Sequence, residues 1–249
     1  MTAASTTSTT TTAAVLDADL GDALAAGKYG PRPLDLDGFE QAFVAAVEAT
    51  GPDPLLAWDR FYDATLARVG ATWGREVPGR QTVATFTRIW SRAAGLSRGD
   101  TALDVGTCFG FLPLAWSARQ GAPRLLAAEL SHASAALTGR QARRLGRDVA
   151  VVRCDGSRLP LGDRQIATVH LIHVLEHLPT SVGDAMLREA LRVADRRVIV
   201  AVPVELRPDP LYGHVRTFDL PALAALGRGT GWQMEIADAD GAWLVLDRP

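Results

Sequence analysis

One stretch of the sequence decides the fold: ALDVGTCFG, residues 102–110. It is an apolar run that carries Asp104, continues through small residues and passes into a helical pattern at Phe111. A strand, a tight turn and a helix in this order form the first half of a βαβ unit. Gly106 and Gly110 let the backbone of the turn approach a ligand, and the first N–H groups of the next helix face it. The stretch therefore predicts a ligand-binding turn at the end of a parallel strand.

The sequence after residue 99 alternates apolar runs with helical patterns. Strands are predicted at 102–105, 125–129, 150–153, 167–173, 197–203, 233–237 and 243–246, and helices at 111–119, 133–145, 182–193 and 220–227. Ser131 and Asp219 are predicted N-caps, and residues 181–184 resemble a capping box. The alternation predicts a doubly wound, mostly parallel α/β sheet with helices on both faces. The last two strands meet at Asp240-Gly241 and should form a hairpin, so one edge strand is antiparallel.

The sequence before residue 99 follows another pattern. Residues 1–18, rich in Thr, Ser and Ala, bury little apolar surface and are predicted to be a disordered tail. Residues 19–98 show helical spacing, with Phe39, Phe43 and Val47 at every fourth position, and Asp53-Pro54 is typical of a helix start. We interpret the aromatic residues here as packing groups of a helical cap, and residues 99–249 as the ligand-binding domain.

Composition excludes several classes of protein. The 249 residues carry 26 basic and 28 acidic side chains, a net charge of -2, which argues against a protein that grips nucleic acid phosphates. The two cysteines exclude a disulfide scaffold and a four-cysteine zinc site. No apolar run approaches the roughly 18 residues of a transmembrane helix. We expect a cytoplasmic protein, see no cluster with metal-ligand spacing, and draw no conclusion about the oligomeric state.

The carboxyl ends of the first five predicted strands carry polar, small or turn-forming residues. In chain order these are Asp104, Gly106, Thr107 and Gly110; Glu129; Asp155, Gly156 and Ser157; His173, Glu176 and His177; and Pro203 and Glu205. Each group has a plainer explanation alone, as a tight turn, a core histidine or a structural hydrogen bond. Because ligands of parallel sheets bind at this edge, the whole set favours a nucleoside pocket.

The type of nucleoside follows from the charges. A nicotinamide dinucleotide site expects three spaced glycines and room for a pyrophosphate, but Phe111 takes the third glycine's place and Asp104 would repel phosphate. A carboxylate beside the turn suits the ammonium group of a methionine moiety instead. Glu129 lies nineteen residues past Gly110, at a distance suited to ribose hydroxyls. S-adenosylmethionine fits these residues, and a dinucleotide does not.

The stretch 102–110 resembles motif I of class I S-adenosylmethionine-dependent methyltransferases. The resemblance implies a seven-stranded sheet of order 3-2-1-4-5-7-6, with Glu129 on the ribose, Asp155 near the adenine amino group and residues 175–178 after the fourth strand. Cys108 departs from the family, which usually has glycine there, so its backbone angle must be one that cysteine can adopt.

A narrower resemblance joins four segments: GTCFGFLP at 106–113, IHVLEH at 172–177, YGHVRTFD at 212–219 and GAWLV at 241–245. Together they are similar to the methyltransferases of mycofactocin biosynthesis, which methylate the oligoglucose chain of that peptide-derived redox cofactor. The resemblance implies a glycan acceptor and makes the helical N-terminal part a substrate lid. A methyltransferase of another small molecule, acting on oxygen, carbon or nitrogen, is the alternative.

The chemistry then needs a base for a sugar hydroxyl, which is a poor nucleophile. Our hypothesis gives this role to His177 or His214, with His173 third, because these histidines follow the fourth and fifth strands. Acceptor hydroxyls would be bound by Glu176, Glu205, Tyr212 and Arg216. Two other classes of protein are alternatives: a nicotinamide oxidoreductase, and a non-catalytic protein that binds S-adenosylmethionine.

Overall fold

A seven-stranded sheet organises the molecule. The computed structural model describes residues 20–27, 33, 36–75 and 82–249, so the predicted tail at 1–18 lies outside the described residues. The strands are β1 Thr101–Val105, β2 Arg124–Glu129, β3 Val149–Arg153, β4 Ile166–Ile172, β5 Ala194–Val202, β6 Gln233–Asp238 and β7 Ala242–Asp247. Their order is 3-2-1-4-5-7-6, and β7 runs antiparallel to the other six strands, between β5 and edge strand β6. The predicted sheet and its terminal hairpin are confirmed.

Helices cover both faces of the sheet. They are α1 Leu20–Ala25, α2 Leu36–Glu48, α3 Pro54–Thr72, α4 Thr82–Leu96, α5 Phe111–Trp116, α6 His132–Arg144, α7 Thr180–Val193 and α8 Leu220–Arg228. Met186 of α7 and Leu223 of α8 pack on one face, and Ile89 of α4 and Leu112 of α5 on the other. Strands β1 and β4 are buried along their whole length, as central parallel strands are.

The N-terminal helices pack on the ligand-binding turn. Asp53 caps α3 by accepting hydrogen bonds from the backbone N–H groups of Leu55 and Leu56, as predicted. Trp58, Phe61 and Tyr62 are buried, which confirms that these aromatic residues pack. The hydroxyl of Tyr62 donates a hydrogen bond of 2.7 Å to the Phe109 carbonyl. Helix α3 thus contacts the turn directly.

Some local details of the sequence prediction are wrong. The capping box at 181–184 does not exist, because α7 begins at Thr180 with Pro179 as its N-cap. Strand β4 ends one residue before His173, whose φ of +52° breaks the extended backbone. The predicted N-caps Ser131 and Asp219 are confirmed.

None of the helices in the described ranges is both long and apolar enough to cross a membrane.

Candidate active site

The conformation of the turn between β1 and α5 depends on its two glycines. Gly106 and Gly110 have φ angles of +73° and +70°, which favour glycine. A Cβ on Gly106 would lie 2.7 Å from Val174 Cγ2, and a Cβ on Gly110 would overlap the side chain of Thr138. The N–H of Gly106 donates to the Ala128 carbonyl at 2.9 Å. Both glycines are therefore required by packing as well as by the turn.

Cys108 occupies the middle of this turn in the left-handed region, at φ +53°. Its N–H donates a 2.8 Å hydrogen bond to Oε2 of Glu129. The other oxygen, Oε1, accepts a 2.8 Å hydrogen bond from the N–H of Ser131. Glu129 thus stands at the end of β2 with its carboxylate fixed against the turn. A carboxylate has about four acceptor positions, so two are left for ribose hydroxyls.

Asp104 lies below the turn rather than on its surface. It is buried, and Thr107 Oγ1 donates a 2.6 Å hydrogen bond to its Oδ2. Burial raises the pKa of Asp104 to about 7, with the neighbouring Glu129 adding to the shift and the Thr107 hydroxyl opposing it. A cation placed beside Asp104 would favour the ionised carboxylate. Its predicted role at the ammonium group of the ligand stays a prediction.

The third strand end forms a compact turn. Oδ1 of Asp155 accepts hydrogen bonds from both the N–H and the hydroxyl of Ser157, each 2.8 Å long. These bonds lower the pKa of Asp155, which is exposed and ionised. Gly156 is buried, and a Cβ there would lie 2.6 Å from Val105 Cγ1 and 2.8 Å from Met186 Cε. The turn is thus packed against the end of β1.

The residues after β4 and β5 form a cluster of histidines and carboxylates. The rings of His177 and His214 are 4.9 Å apart and nearly perpendicular. Nδ1 of His214 is hydrogen-bonded to Oε2 of Glu205 at 2.8 Å. Burial lowers the pKa of His177, against the attraction of the Glu176 carboxylate. The fold thus brings together four of the residues predicted to be catalytic or acceptor-binding.

His173, Glu176 and Tyr212 complete this cluster. Glu176 is 1% exposed, and its Oε1 is 3.2 Å from Nδ1 of His173. The N–H of Val215 donates a 2.9 Å hydrogen bond to the backbone carbonyl of Glu176, which joins the segment after β4 to the loop that carries His214. The ring of Tyr212 lies 6.0 Å from that of His214.

Comparison with known proteins identifies the domain. Residues 102–196 match the family described as a methyltransferase domain. The chain carries a class I S-adenosylmethionine-dependent methyltransferase domain. It is accordingly an enzyme that uses S-adenosylmethionine, and the oxidoreductase alternative is not supported. A search of curated proteins found no match.

Solved structures share the fold of the methyltransferase. The [4+2]-cyclase SpnF is 18% identical with a TM-score of 0.58, over 76% of this chain and 93% of that chain. Magnesium protoporphyrin IX methyltransferase from Synechocystis PCC 6803, crystallised with bound SAH, is 16% identical with a TM-score of 0.55, over 78% and 98%. A SAM-dependent methyltransferase from Aquifex aeolicus is 18% identical with a TM-score of 0.50, over 63% and 85%. At these identities the likeness shows the fold alone.

The strand edge of the methyltransferase fits S-adenosylmethionine. Glu129 keeps acceptor positions for two hydroxyls, and the turn beside it has no room for a side chain at Gly106 or Gly110, where Val174 and Thr138 pack. The Asp155 turn lies at the neighbouring strand end. The assignment of Asp104, Thr107, Glu129, Asp155 and Ser157 to the cofactor stays a prediction, since their contacts here are with one another and with the backbone.

Arg216 of the methyltransferase is engaged in packing. Its Nε donates a 2.9 Å hydrogen bond to the Leu175 carbonyl, and its guanidinium lies 4.6 Å from the centre of the Phe218 ring. Burial lowers its pKa. A Cβ on Gly183 would overlap the guanidinium, so Gly183 of α7 makes room for it. These contacts fix the loop under the histidine cluster, and a contact of Arg216 with the acceptor stays a prediction.

Sequence reasoning missed how the histidine cluster could bind a cation. One potential ligand atom from each of Glu176, His177 and His214 lies within 4.8 Å of the others. The spacing rules look for ligands repeated at short intervals, whereas here two neighbours meet a third residue from a distant loop. The adjacent pair Glu176-His177 was the one available signal.

Proposed function

We propose that the methyltransferase methylates a sugar hydroxyl, on the oligoglucose chain of mycofactocin during its biosynthesis. The observation that carries this proposal is the cluster of His177, His214 and Glu205 beside an open cavity. Glu205 both bonds His214 and lines that cavity of about 730 Å³. This volume is within the range of small-molecule sites. The resemblance of residues 172–177 and 212–219 to mycofactocin methyltransferases supports the choice of acceptor.

The lining of the cavity suits a carbohydrate. Besides Glu205 it includes Arg207 and Asp209, which offer hydrogen bonds to hydroxyl groups, and the apolar residues Leu206 and Leu211. Sugars present both hydroxyls and apolar C–H faces, so a mixed lining can bind them. Pro33, from the N-terminal part of the chain, also lines the cavity.

The N-terminal helices contact the same region and support a role as a substrate lid. The ring of Phe39 on α2 lies 5.4 Å from the ring of Tyr212, edge to face. Tyr212 in turn neighbours His214. Helix α2 therefore borders the loop that carries the proposed acceptor residues. Binding of the acceptor would change the contacts between this loop and the N-terminal helices.

The chemical task of the cluster is to activate a hydroxyl. S-adenosylmethionine supplies a methyl group on a positively charged sulfur. The acceptor hydroxyl is a weak nucleophile and must lose its proton as it attacks. His177 and His214 hold their rings close together, and Glu205 fixes the orientation of His214. We assign to this pair the binding and activation of the acceptor hydroxyl, with alignment of the two reactants supplying much of the rate.

Methyl transfer from isotope-labelled S-adenosylmethionine tests the proposal. The acceptor should be mycofactocin carrying its oligoglucose chain, compared with the same molecule without glucose, and the product should be read by mass spectrometry. We expect one labelled methyl group on the sugar and none on the glucose-free molecule. His177→Ala and His214→Ala should each slow transfer by about 100-fold or more. Calorimetry should show that both variants still bind S-adenosylmethionine.

His132→Ala is the matched control, because His132 is exposed on α6 and lies outside the cluster. It should transfer methyl groups at the wild-type rate. Equal methylation of the glucose-free molecule would contradict the sugar acceptor and favour another small molecule. Wild-type rates in both His177→Ala and His214→Ala would contradict the role of the cluster.

A further inference from the structure

Two loops place a carboxylate and two imidazoles around one point. Glu176 and His177 belong to the 3-10 turn Leu175–His177 after β4, and His214 belongs to the loop after β5. Their nearest ligand atoms all lie within 4.8 Å of one another. The hydrogen bond from Val215 N–H to the Glu176 carbonyl holds the loops together. Two histidines and one glutamate form a ligand set found in catalytic zinc sites.

The Glu176 carboxylate is an independent sign of a missing ligand. It is 1% exposed, and within the described part of the chain neither oxygen has a hydrogen-bond partner. Nδ1 of His173 is 3.2 Å from Oε1, a contact that is an ion pair only when His173 is protonated, and the two atoms form no hydrogen bond. A buried carboxylate without hydrogen bonds is unfavourable, and the nearby Arg216 interacts with Glu176 only through its charge. A metal ion among Glu176, His177 and His214 would bind the carboxylate directly.

The outer contacts of the histidines also fit metal ligands. Metal-binding histidines usually use their second ring nitrogen for a carboxylate or a backbone carbonyl, which fixes the ring. Nδ1 of His214 is bonded to Glu205 at 2.8 Å, which leaves Nε2 for the cluster. His177 hydrogen-bonds the backbone of Gly213. Both rings are thus oriented from outside the cluster.

We propose that Glu176, His177 and His214 bind one divalent transition-metal ion, with Glu205 as the positioning residue of His214. Imidazole ligands favour Zn²⁺, Ni²⁺ or Cu²⁺ over Mg²⁺ and Ca²⁺. Atoms bonded to an ion at about 2.1 Å lie at most about 4 Å apart, so the ion would draw the side chains together by about 1 Å. Three protein ligands leave positions open on the ion.

An acceptor hydroxyl could occupy an open coordination position on the ion, as the proposed function requires. A hydroxyl of the acceptor bound to the ion would have a lower pKa and would release its proton to water in the open cavity. With the ion bound, both imidazoles are metal ligands, and the ion, rather than a histidine acting as a base, activates the hydroxyl. This role rests on the proposed function, whereas binding of the ion does not.

Metal titration of the chelator-treated full chain tests the site. Calorimetry with Zn²⁺ and the visible absorption of added Co²⁺ should both show one ion per chain, and Mg²⁺ should not bind. His214→Ala and Glu176→Gln should weaken Zn²⁺ binding by about 100-fold or more, because each removes a ligand. Glu205→Gln should weaken it by about 10- to 100-fold, as changes in outer partners do.

His132→Ala should bind Zn²⁺ like the wild type, and circular dichroism should confirm that every variant is folded. Absence of stoichiometric binding in the wild type would overturn the proposal. So would binding that is unchanged in folded His214→Ala and Glu176→Gln. Because neither S-adenosylmethionine nor acceptor is present, failure of the metal site and failure of the sugar acceptor are separate results.

Discussion

Glu129 shows how one side chain serves both the fold and the cofactor site. Its two oxygens accept hydrogen bonds from the N–H groups of Cys108 and Ser131, which belong to the turns after β1 and β2. The sequence predicted this carboxylate from its place at the end of a strand. It could not show that Glu129 also holds Cys108 at a φ of +53°, where a cysteine is strained.

Replacing Glu129 should therefore weaken cofactor binding and loosen the turn together. We expect Glu129→Ala to raise the Kd for S-adenosylmethionine by about tenfold or more, because charged hydrogen bonds contribute about 1.5–3 kcal/mol each. Calorimetry gives the Kd. Glu235→Ala removes an exposed carboxylate from edge strand β6 and should leave the Kd unchanged. An unchanged Kd in Glu129→Ala would show that the carboxylate does not contact the cofactor.

The limits of sequence reasoning are also clear at single residues. Glu205 was predicted to bind the acceptor, and the structure shows it bonded to His214. That pairing depends on how the loop after β5 folds back, which no periodic pattern encodes. The position of His177 and His214 at neighbouring strand ends, by contrast, follows from the parallel sheet alone, and the sequence predicted it.

At the scale of elements, apolar runs predicted the strands well. Charged residues at the start of β5 made its first residues resemble a loop. Strand β5 begins at Ala194, directly after α7, although residues 194–197 read ADRR and resemble a loop. Arg197 is nevertheless buried, because its guanidinium forms two 2.7 Å hydrogen bonds with Asp247 across the β5–β7 pair. A charge that finds its partner on a neighbouring strand cannot be recognised as buried from local sequence.

The attachment of α3 to α6 gives a prediction about the cap. Asp59 of α3 accepts hydrogen bonds from Arg140 and from Gln141 of α6, the latter at 2.8 Å, and the bond to Arg140 lowers its pKa. Its side chain is 16% exposed. We expect Asp59→Ala to lower the free energy of unfolding in urea by about 1–2 kcal/mol, because the buried Gln141 amide and the partly buried Arg140 guanidinium lose their acceptor.

Asp63 on the same helix is the matched control for Asp59. It also pairs with α6, through Arg144 at 2.6 Å, but its side chain is 55% exposed. Exposed pairs contribute little, so Asp63→Ala should cost less than about 1 kcal/mol. If the two alanine variants lost equal stability, the α3–α6 attachment would not depend on the buried carboxylate.

At the scale of the whole molecule, the order of the strands in the sheet brings the parts of the active site together. Strand β1 lies between β2 and β4, so the glycine turn, Glu129 and the histidine cluster come to one edge from distant parts of the chain. The sequence predicted which strand ends would carry the site. The side-chain pairs within it, such as His177 with His214, depend on contacts between loops, and those required the structure.

The centre of the sheet also holds two titratable groups whose effects on stability oppose each other. Asp104 and His170 are register partners on β1 and β4, and both are buried. Burial raises the pKa of Asp104 to about 7 and lowers that of His170 to about 3. As the pH falls from about 6.5 to about 4, the folded state gains stability from Asp104, which takes up a proton more readily when folded. Over the same range it loses stability from His170, which takes up a proton more readily when unfolded.

Single variants should separate these two opposing slopes. Relative to the wild type, Asp104→Asn should become less stable as the pH falls from about 6.5 to about 4.5, and His170→Gln should become more stable, each by about 1.4 kcal/mol per pH unit. Glutamine can retain the 2.8 Å hydrogen bond that His170 shares with Ser97, so the comparison isolates the proton. Urea unfolding at three pH values measures the slopes. Slopes of the same sign in both variants would mean that the two groups are not held neutral together in the middle of the sheet.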